Sequence, residues 1–160
     1  MSETTLILIR HGKQNYDHLE NTTQPLTSEG RLIQTKMSEY LHAHLQAQGR
    51  LPTHIFTSPL TRAKETAALL GEAMQLTPEE LPALGVDFSK TELLKHIVPG
   101  ETQIMVGHSP TLRAFADWLC GIPCLPHELE RSGAVVLTFK GAVEPGQAIF
   151  TGYHSPRGIL

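Results

Sequence analysis

The 160-residue chain is 40% hydrophobic, and its 13 Lys and Arg against 16 Asp and Glu leave a formal net charge of −3. This length is expected to fold as one domain, residues 1–160, whose core needs no disulfide or metal staple. The charge balance excludes a broad basic footprint for nucleic acid or anionic lipid. No apolar run approaches the roughly 20 residues of a spanning helix, and no basic leader precedes the first one, so a cytoplasmic monomer without membrane contact is expected.

Leu6-Ile7-Leu8-Ile9 sits in a first strand over residues 4–10, buried on both faces because the apolar run does not alternate. The loop from Gly12 to Pro25 is polar and irregular. Thr27 or Ser28 then caps a helix whose Leu32, Ile33, Met37, Leu41 and Leu45 form one buried stripe, ending near Gly49. Residues 53–57 form a second strand. Ser58-Pro59 reads as N-cap and first helical residue of a second helix, lined by Leu60, Ala63, Ala67, Leu70 and Met74.

Residues 77–87, with two prolines and a glycine, predict a connection carrying a short extended piece. A helix over 89–98 stops at Pro99-Gly100, and residues 102–106 form a third core strand. Ser109-Pro110 repeats the helix-start pattern ahead of Leu112, Phe115, Ala116 and Leu119. Cys120 and Cys124 fit neither a redox Cys-x-x-Cys nor half of a zinc site, so two reduced thiols near a helix end are expected. Strand-like runs over 133–139 and 148–152 flank Glu144-Pro145-Gly146 and predict an antiparallel hairpin. The alternation of strand and helix gives a three-layer α/β/α domain with a mainly parallel central sheet.

Ligands in such sheets bind beyond the carboxyl ends of the strands. Arg10, His11 and His108 all fall there, and Arg62 lies one turn into the helix after the second strand. The helix start at Ser109 adds backbone N–H groups and a positive dipole end. Each residue alone has an ordinary reading, Arg10-His11 as a surface pair, His108 as a core histidine, Arg62 as a solvated arginine like Arg113. Together they form an anion pocket. Surrounding positive charge lowers a histidine pKa, so His11 stays neutral and can attack phosphorus while Arg10, Arg62 and His108 hold the equatorial oxygens.

These residues also resemble a family. Arg10-His11-Gly12, the run Thr57-Ser58-Pro59-Leu60-Thr61-Arg62-Ala63-Lys64-Glu65-Thr66, and Val106-Gly107-His108-Ser109 are similar, in order, to the three signature blocks of the histidine phosphatase superfamily, the phosphoglycerate-mutase-like fold. The likeness runs from residue 6 to about 121. It implies that His11 is the nucleophile, that Arg10 and Arg62 bind phosphate and that His108 completes the pocket, with Ser109 beside it and neither metal nor cofactor required. The short chain, Pro25-Leu26-Thr27-x-x-Gly30, His154-Ser155-Pro156 and the lack of a large inserted cap resemble the small SixA-type branch, which removes phosphate from phosphohistidine on signalling proteins.

One departure bears on substrate. Where mutases and many small-molecule phosphatases of the family carry a carboxylate that protonates the leaving oxygen, Leu81-Pro82-Ala83-Leu84 offers alanine, with Glu80 and Asp87 as off-register substitutes. Position 13 is Lys rather than the glutamate common in mutases. An alkoxide leaving group needs that acid, an effect of roughly 10²- to 10⁴-fold, whereas an imidazole leaves as a neutral ring. Protein phosphohistidine is therefore the expected substrate. The alternatives are a nucleotide or sugar phosphate with Asp87 or a loop residue as acid, and a phosphate-binding or partner-binding module without turnover.

Overall fold

The computed structural model describes residues 3–125 and 127–159. Six strands form one sheet: β1 (Thr4–Arg10), β2 (His54–Thr57), β3 (Glu79–Glu80), β4 (Thr102–Gly107), β5 (Ala134–Phe139) and β6 (Ala148–His154). Their order is β3-β2-β4-β1-β5-β6. β1 pairs with β4 in parallel and with β5 antiparallel, while β2 runs parallel to both β3 and β4. The expected α/β sheet with a late hairpin is what forms, β5 and β6 making the antiparallel edge.

Both faces of β1 are buried, which explains the unbroken apolar run. Leu6 and Leu8 point into one core with Phe56, Met105, Leu112, Phe115 and Leu119. Ile7 and Ile9 point into the other with Ile55, Ile104, Val106, Leu41 and Leu70. The period of two sends neighbours to opposite faces, so a central strand covered on both sides must be apolar at every position. Helices α1 (Ser28–Ala47) and α2 (Thr61–Met74) cover the second face. The short α3 (Lys90–Lys95) and α4 (Thr111–Cys120) cover the first, and α5 (Pro156–Ile159) closes the chain. Among the described residues no helix is long and apolar enough to cross a membrane.

Three local expectations are corrected. Leu32 is 58% exposed, and the inner stripe of α1 instead runs through Gly30, Gln34, Met37, Ser38, Leu41 and Leu45. The first turns of α1 press against loop backbone: a Cβ on Gly30 would lie 2.5 Å from the Lys13 carbonyl oxygen. That approach leaves no room for a side chain at position 30, and further along the stripe the buried Gln34 amide donates to the Ser38 hydroxyl at 3.0 Å. Neither Ser-Pro pair starts its helix. Leu60 caps α2 and Pro110 caps α4, neither with a side-chain bond. Ser58 still belongs to the sheet, its N–H donating to the Val106 carbonyl at 3.0 Å. Finally, α3 is shorter than the expected 89–98, although Ser89 does cap it by accepting from the Glu92 N–H.

Candidate active site

The carboxyl ends of β1, β2 and β4 lie side by side, and the register sets Arg10 opposite Gly107. His11 follows directly, its N–H donating to the Gly107 carbonyl at 3.0 Å, and it is only 4% exposed. A cavity of about 300 Å³ opens over these strand ends. All five residues singled out from the sequence line it: Arg10, His11, Arg62, His108 and Ser109. Thr111 lines it too, so the positive end of α4 is at the pocket, although α4 begins one residue later than expected.

The tautomer of His11 follows from its partner. Nδ1 lies 2.7 Å from the Gly12 carbonyl oxygen. A carbonyl can only accept, so in the neutral ring Nδ1 carries the proton and Nε2 keeps a lone pair. Gly12 is itself fixed, donating its N–H to Thr66 Oγ1 at 3.0 Å, while the Thr66 hydroxyl donates to the Arg62 carbonyl at 2.8 Å. This chain links the Arg-His-Gly turn to the first turns of α2. His108 stands with its ring centroid 5.1 Å from that of His11, and its Nε2 lies 2.7 Å from Ser58 Oγ. Ser58 Oγ also accepts from the Leu60 N–H at 3.2 Å. When its hydroxyl donates to His108 Nε2, the His108 proton sits on Nδ1, free to bond an anionic oxygen.

Burial is the main reason both rings stay neutral. It pushes the His11 pKa down to about 3, opposed by the Gly12 carbonyl and assisted by His108, Arg62 and Arg10 in that order. It pushes His108 down to about 4, with Arg62 and Arg10 assisting. The arginines are thus secondary to desolvation, a correction to the expectation that they hold the imidazole neutral.

The arginines are anchored with capacity to spare. Arg10 Nη1 donates to the Leu129 carbonyl at 3.0 Å, and Arg62 Nη1 donates to the Asn21 carbonyl at 2.6 Å. In both, Nε is buried and finds no partner among the described residues. Buried donors are nearly always satisfied, so two unpaired guanidinium nitrogens at one cavity mark a place for an oxyanion.

Among the described residues no aspartate or glutamate lines the cavity. Glu80 is exposed and lies 3.8 Å from Lys64, and Asp87 is exposed beside the lining residue Val86. Among the described residues no cluster of three or more His, Cys, Asp or Glu could hold a metal ion. Cys120 and Cys124 are free thiols beyond the pocket, and burial pushes Cys124 up to about 12.

Sequence reasoning missed Ser58 as the partner of His108, reading it as a cap, and gave Thr66 no role. A signal for Thr66 was available: it lies four residues after Arg62 on the buried face of α2, a polar residue among Ala63, Ala67 and Leu70. Gln14 and Asn21 also line the cavity from the loop that had been left without detail.

The fold has known counterparts. A search of curated proteins finds no match. Solved structures share the fold. SixA, a protein histidine phosphatase complexed with tungstate, aligns over 98% of this chain and 99% of its own with a TM-score of 0.79 at 20% identity. The putative phosphohistidine phosphatase SixA from Nakamurella multipartitia aligns over 98% of each chain with a TM-score of 0.74 at 23% identity. A phosphoserine phosphatase from Entamoeba histolytica, complexed with 3-phosphoglyceric acid, aligns over 100% of each with a TM-score of 0.72 at 16% identity. Residues 6–92, which hold the first two of the three sequence blocks, match the family described as the histidine phosphatase superfamily (branch 1). Together with the third block, which the fold brings to the same cavity, this match means that the chain belongs to the histidine phosphatase superfamily and is a histidine-type phosphatase.

Proposed function

We propose that this phosphatase acts on phosphoramidates, with phosphohistidine on a protein as its substrate. The observation that carries the reading is a cavity lined by two arginines and two histidines but by no carboxylate. His11 Nε2 attacks phosphorus in line as the P–N bond to the leaving imidazole breaks. The leaving ring keeps the proton already on its other nitrogen and the bonding pair, and departs neutral. The phosphoryl group is then on His11, whose Nδ1–H remains bonded to the Gly12 carbonyl and shares the positive charge that develops. Arg10, Arg62 and His108 hold the equatorial oxygens. Water attacks phospho-His11 next, its two protons staying with the released dihydrogen phosphate while His11 recovers its neutral tautomer.

The rim supports a protein-borne group. Val86 is 80% exposed, and the loop carrying Gln14 and Asn21 presents Leu19, which is 100% exposed. An open mouth edged by the exposed apolar side chain of Val86 suits a phosphorylated side chain on another protein's surface better than an enclosed metabolite.

A second reading, a phosphatase for small phosphate esters, is favoured by Asp87, which is exposed next to the lining residue Val86. Turnover measured across leaving groups of rising pKa separates the two. A site without an acid gives kcat/KM falling steeply as the leaving group becomes more basic, unchanged in Asp87→Asn. A flat dependence that steepens in Asp87→Asn overturns the phosphohistidine reading in favour of the ester.

A further inference from the structure

A second cavity, of about 370 Å³, shares Arg10 with the first but not His11. Arg10 lines both cavities, so the two share one residue of their walls. The new groove also takes Lys13, Arg131 and Arg157, and its one carboxylate is Glu130. Two of these four cations are neutralised: Lys13 Nζ lies 3.0 Å from Glu29, and Arg157 Nε lies 3.0 Å from Glu130, which also accepts from the Ser155 hydroxyl at 3.1 Å.

The remaining two also line the groove, and the carboxylate of Glu128 acts on Arg10 only at longer range. Among the described residues, Arg10 donates to the Leu129 carbonyl and Arg131 donates to the Tyr16 hydroxyl, and neither makes a salt bridge. They are close enough to repel, since Arg131 is the largest source after burial of the lowered Arg10 pKa. Ser132 fixes this arrangement. It is buried in the left-handed region at φ 62° and donates its N–H to the Arg10 carbonyl at 2.9 Å, tying the segment carrying Arg131 to the end of β1. Two guanidiniums that share one groove and make no salt bridge leave it favourable for an anion between them.

We infer that the groove between Arg10 and Arg131 is a second anion subsite that binds an acidic side chain of the protein substrate, next to its phosphorylated histidine. The inference rests on the phosphohistidine reading above and adds to it the surface chemistry of the partner. Because Arg10 is shared, the second anion is held one side chain away from the reacting phosphoryl group. Residues three or four apart on a helix are about 5–6 Å apart at Cβ, so a Glu or Asp one turn from the phosphohistidine reaches the groove while phosphorus sits over His11. Arg131 supplies planar, forked donors suited to a carboxylate.

The test compares two helical phosphohistidine peptides that differ only in carrying Glu or Gln one turn from the phosphorylated residue, with a sugar bisphosphate and the corresponding monophosphate as a second pair. The wild type is expected to turn over the Glu peptide with a kcat/KM about ten-fold higher than the Gln peptide, as a charge-assisted hydrogen bond supplies. Raised salt shrinks the ratio. In Arg131→Glu the ratio falls to one or below, and a peptide with Lys at the same position gains instead. Reading ratios within each variant removes any general loss from the broken Tyr16 contact.

Equal turnover of the Glu and Gln peptides by the wild type, or a preference that survives Arg131→Glu, overturns the inference. A preference confined to the bisphosphate and lost in Arg131→Glu overturns the acidic side chain as the occupant and assigns the groove to a second phosphate. If neither peptide is turned over, it is the phosphohistidine reading that has failed. The bisphosphate ratio in wild type and Arg131→Glu then decides the subsite by itself.

Discussion

Two stretches of this chain share one pattern and end in different places. Ser58-Pro59-Leu60-Thr61-Arg62 and Ser109-Pro110-Thr111-Leu112-Arg113 each leave a parallel strand and place an arginine four residues after the serine. Arg62 is 7% exposed and lines the candidate active-site cavity, whereas Arg113 is bound to Glu128 at 2.7 Å, a partner with 72% side-chain exposure. Ser58 is fully buried on His108, while Ser109 is half-buried and lines the cavity. The difference lies in where each helix begins. α2 starts at Thr61 and α4 at Thr111, so Arg62 is the second helical residue and Arg113 the third. One residue is about 100° of rotation, enough to turn a side chain from the strand ends towards solvent, and the two helices also lie on opposite faces of the sheet. A shared motif therefore does not carry a shared role; the helix phase does.

The strongest way to break this comparison is to remove both arginines in turn. Arg62→Ala is expected to lower kcat/KM for an activated phosphoramidate by about 10²- to 10³-fold, the scale of losing one transition-state donor. Arg113→Ala is expected to stay within about two-fold and to change unfolding free energy by less than about 1 kcal/mol, as an exposed ion pair does. Comparable losses from the two would show that phase is not what separates them. The serines sharpen the same contrast. Ser58→Ala frees the His108 ring and is expected to lower kcat by about ten-fold, while Ser109→Ala raises KM by about three-fold at similar kcat. Steady-state kinetics on folded variants, checked by circular dichroism, measures both.

Much of this was legible because burial on both sides of a central strand erases alternation, and Leu6 to Ile9 and Ile104 to Val106 carry that mark. Strand ends then located Arg10, His11 and His108 without any coordinates. The helix starts were misread because a serine before proline is equally at home as a cap and as a strand residue whose hydroxyl serves a distant histidine. Ser58 takes the second role through a contact 50 residues away in sequence, beyond any local signal. The inner stripe of α1 escaped for a related reason. Gly30 is buried by close approach to loop backbone and Gln34 is buried with its amide on the Ser38 hydroxyl, neither of which hydrophobic periodicity registers. The groove shared by Arg10 and Arg131 likewise needs the fold, because those residues are 121 positions apart.

A smaller effect tests the burial of the two histidines as opposed to their charged surroundings. With His11 held to about 3 and His108 to about 4, against about 6.5 in the unfolded chain, the unfolded state takes up protons first as pH falls. Stability is therefore full above about pH 6.5 and is lost as pH falls from there towards 4. Urea unfolding at pH 7 and pH 4.5 is expected to differ by on the order of 5 kcal/mol through these groups. Replacing both rings by Asn should flatten that slope. An unchanged slope in the double variant would place the pH dependence elsewhere.

The central claim is that His11 carries the phosphoryl group through turnover, with its Nε2 lone pair exposed because Nδ1–H is committed to the Gly12 carbonyl. Rapid quenching of the enzyme with a phosphorus-labelled phosphoramidate, followed by peptide mapping, tests it directly. The account predicts acid-labile, base-stable label on the peptide containing His11 within one turnover, and none in His11→Ala, which also loses turnover. Label on another residue, or undiminished turnover by His11→Ala, would contradict it.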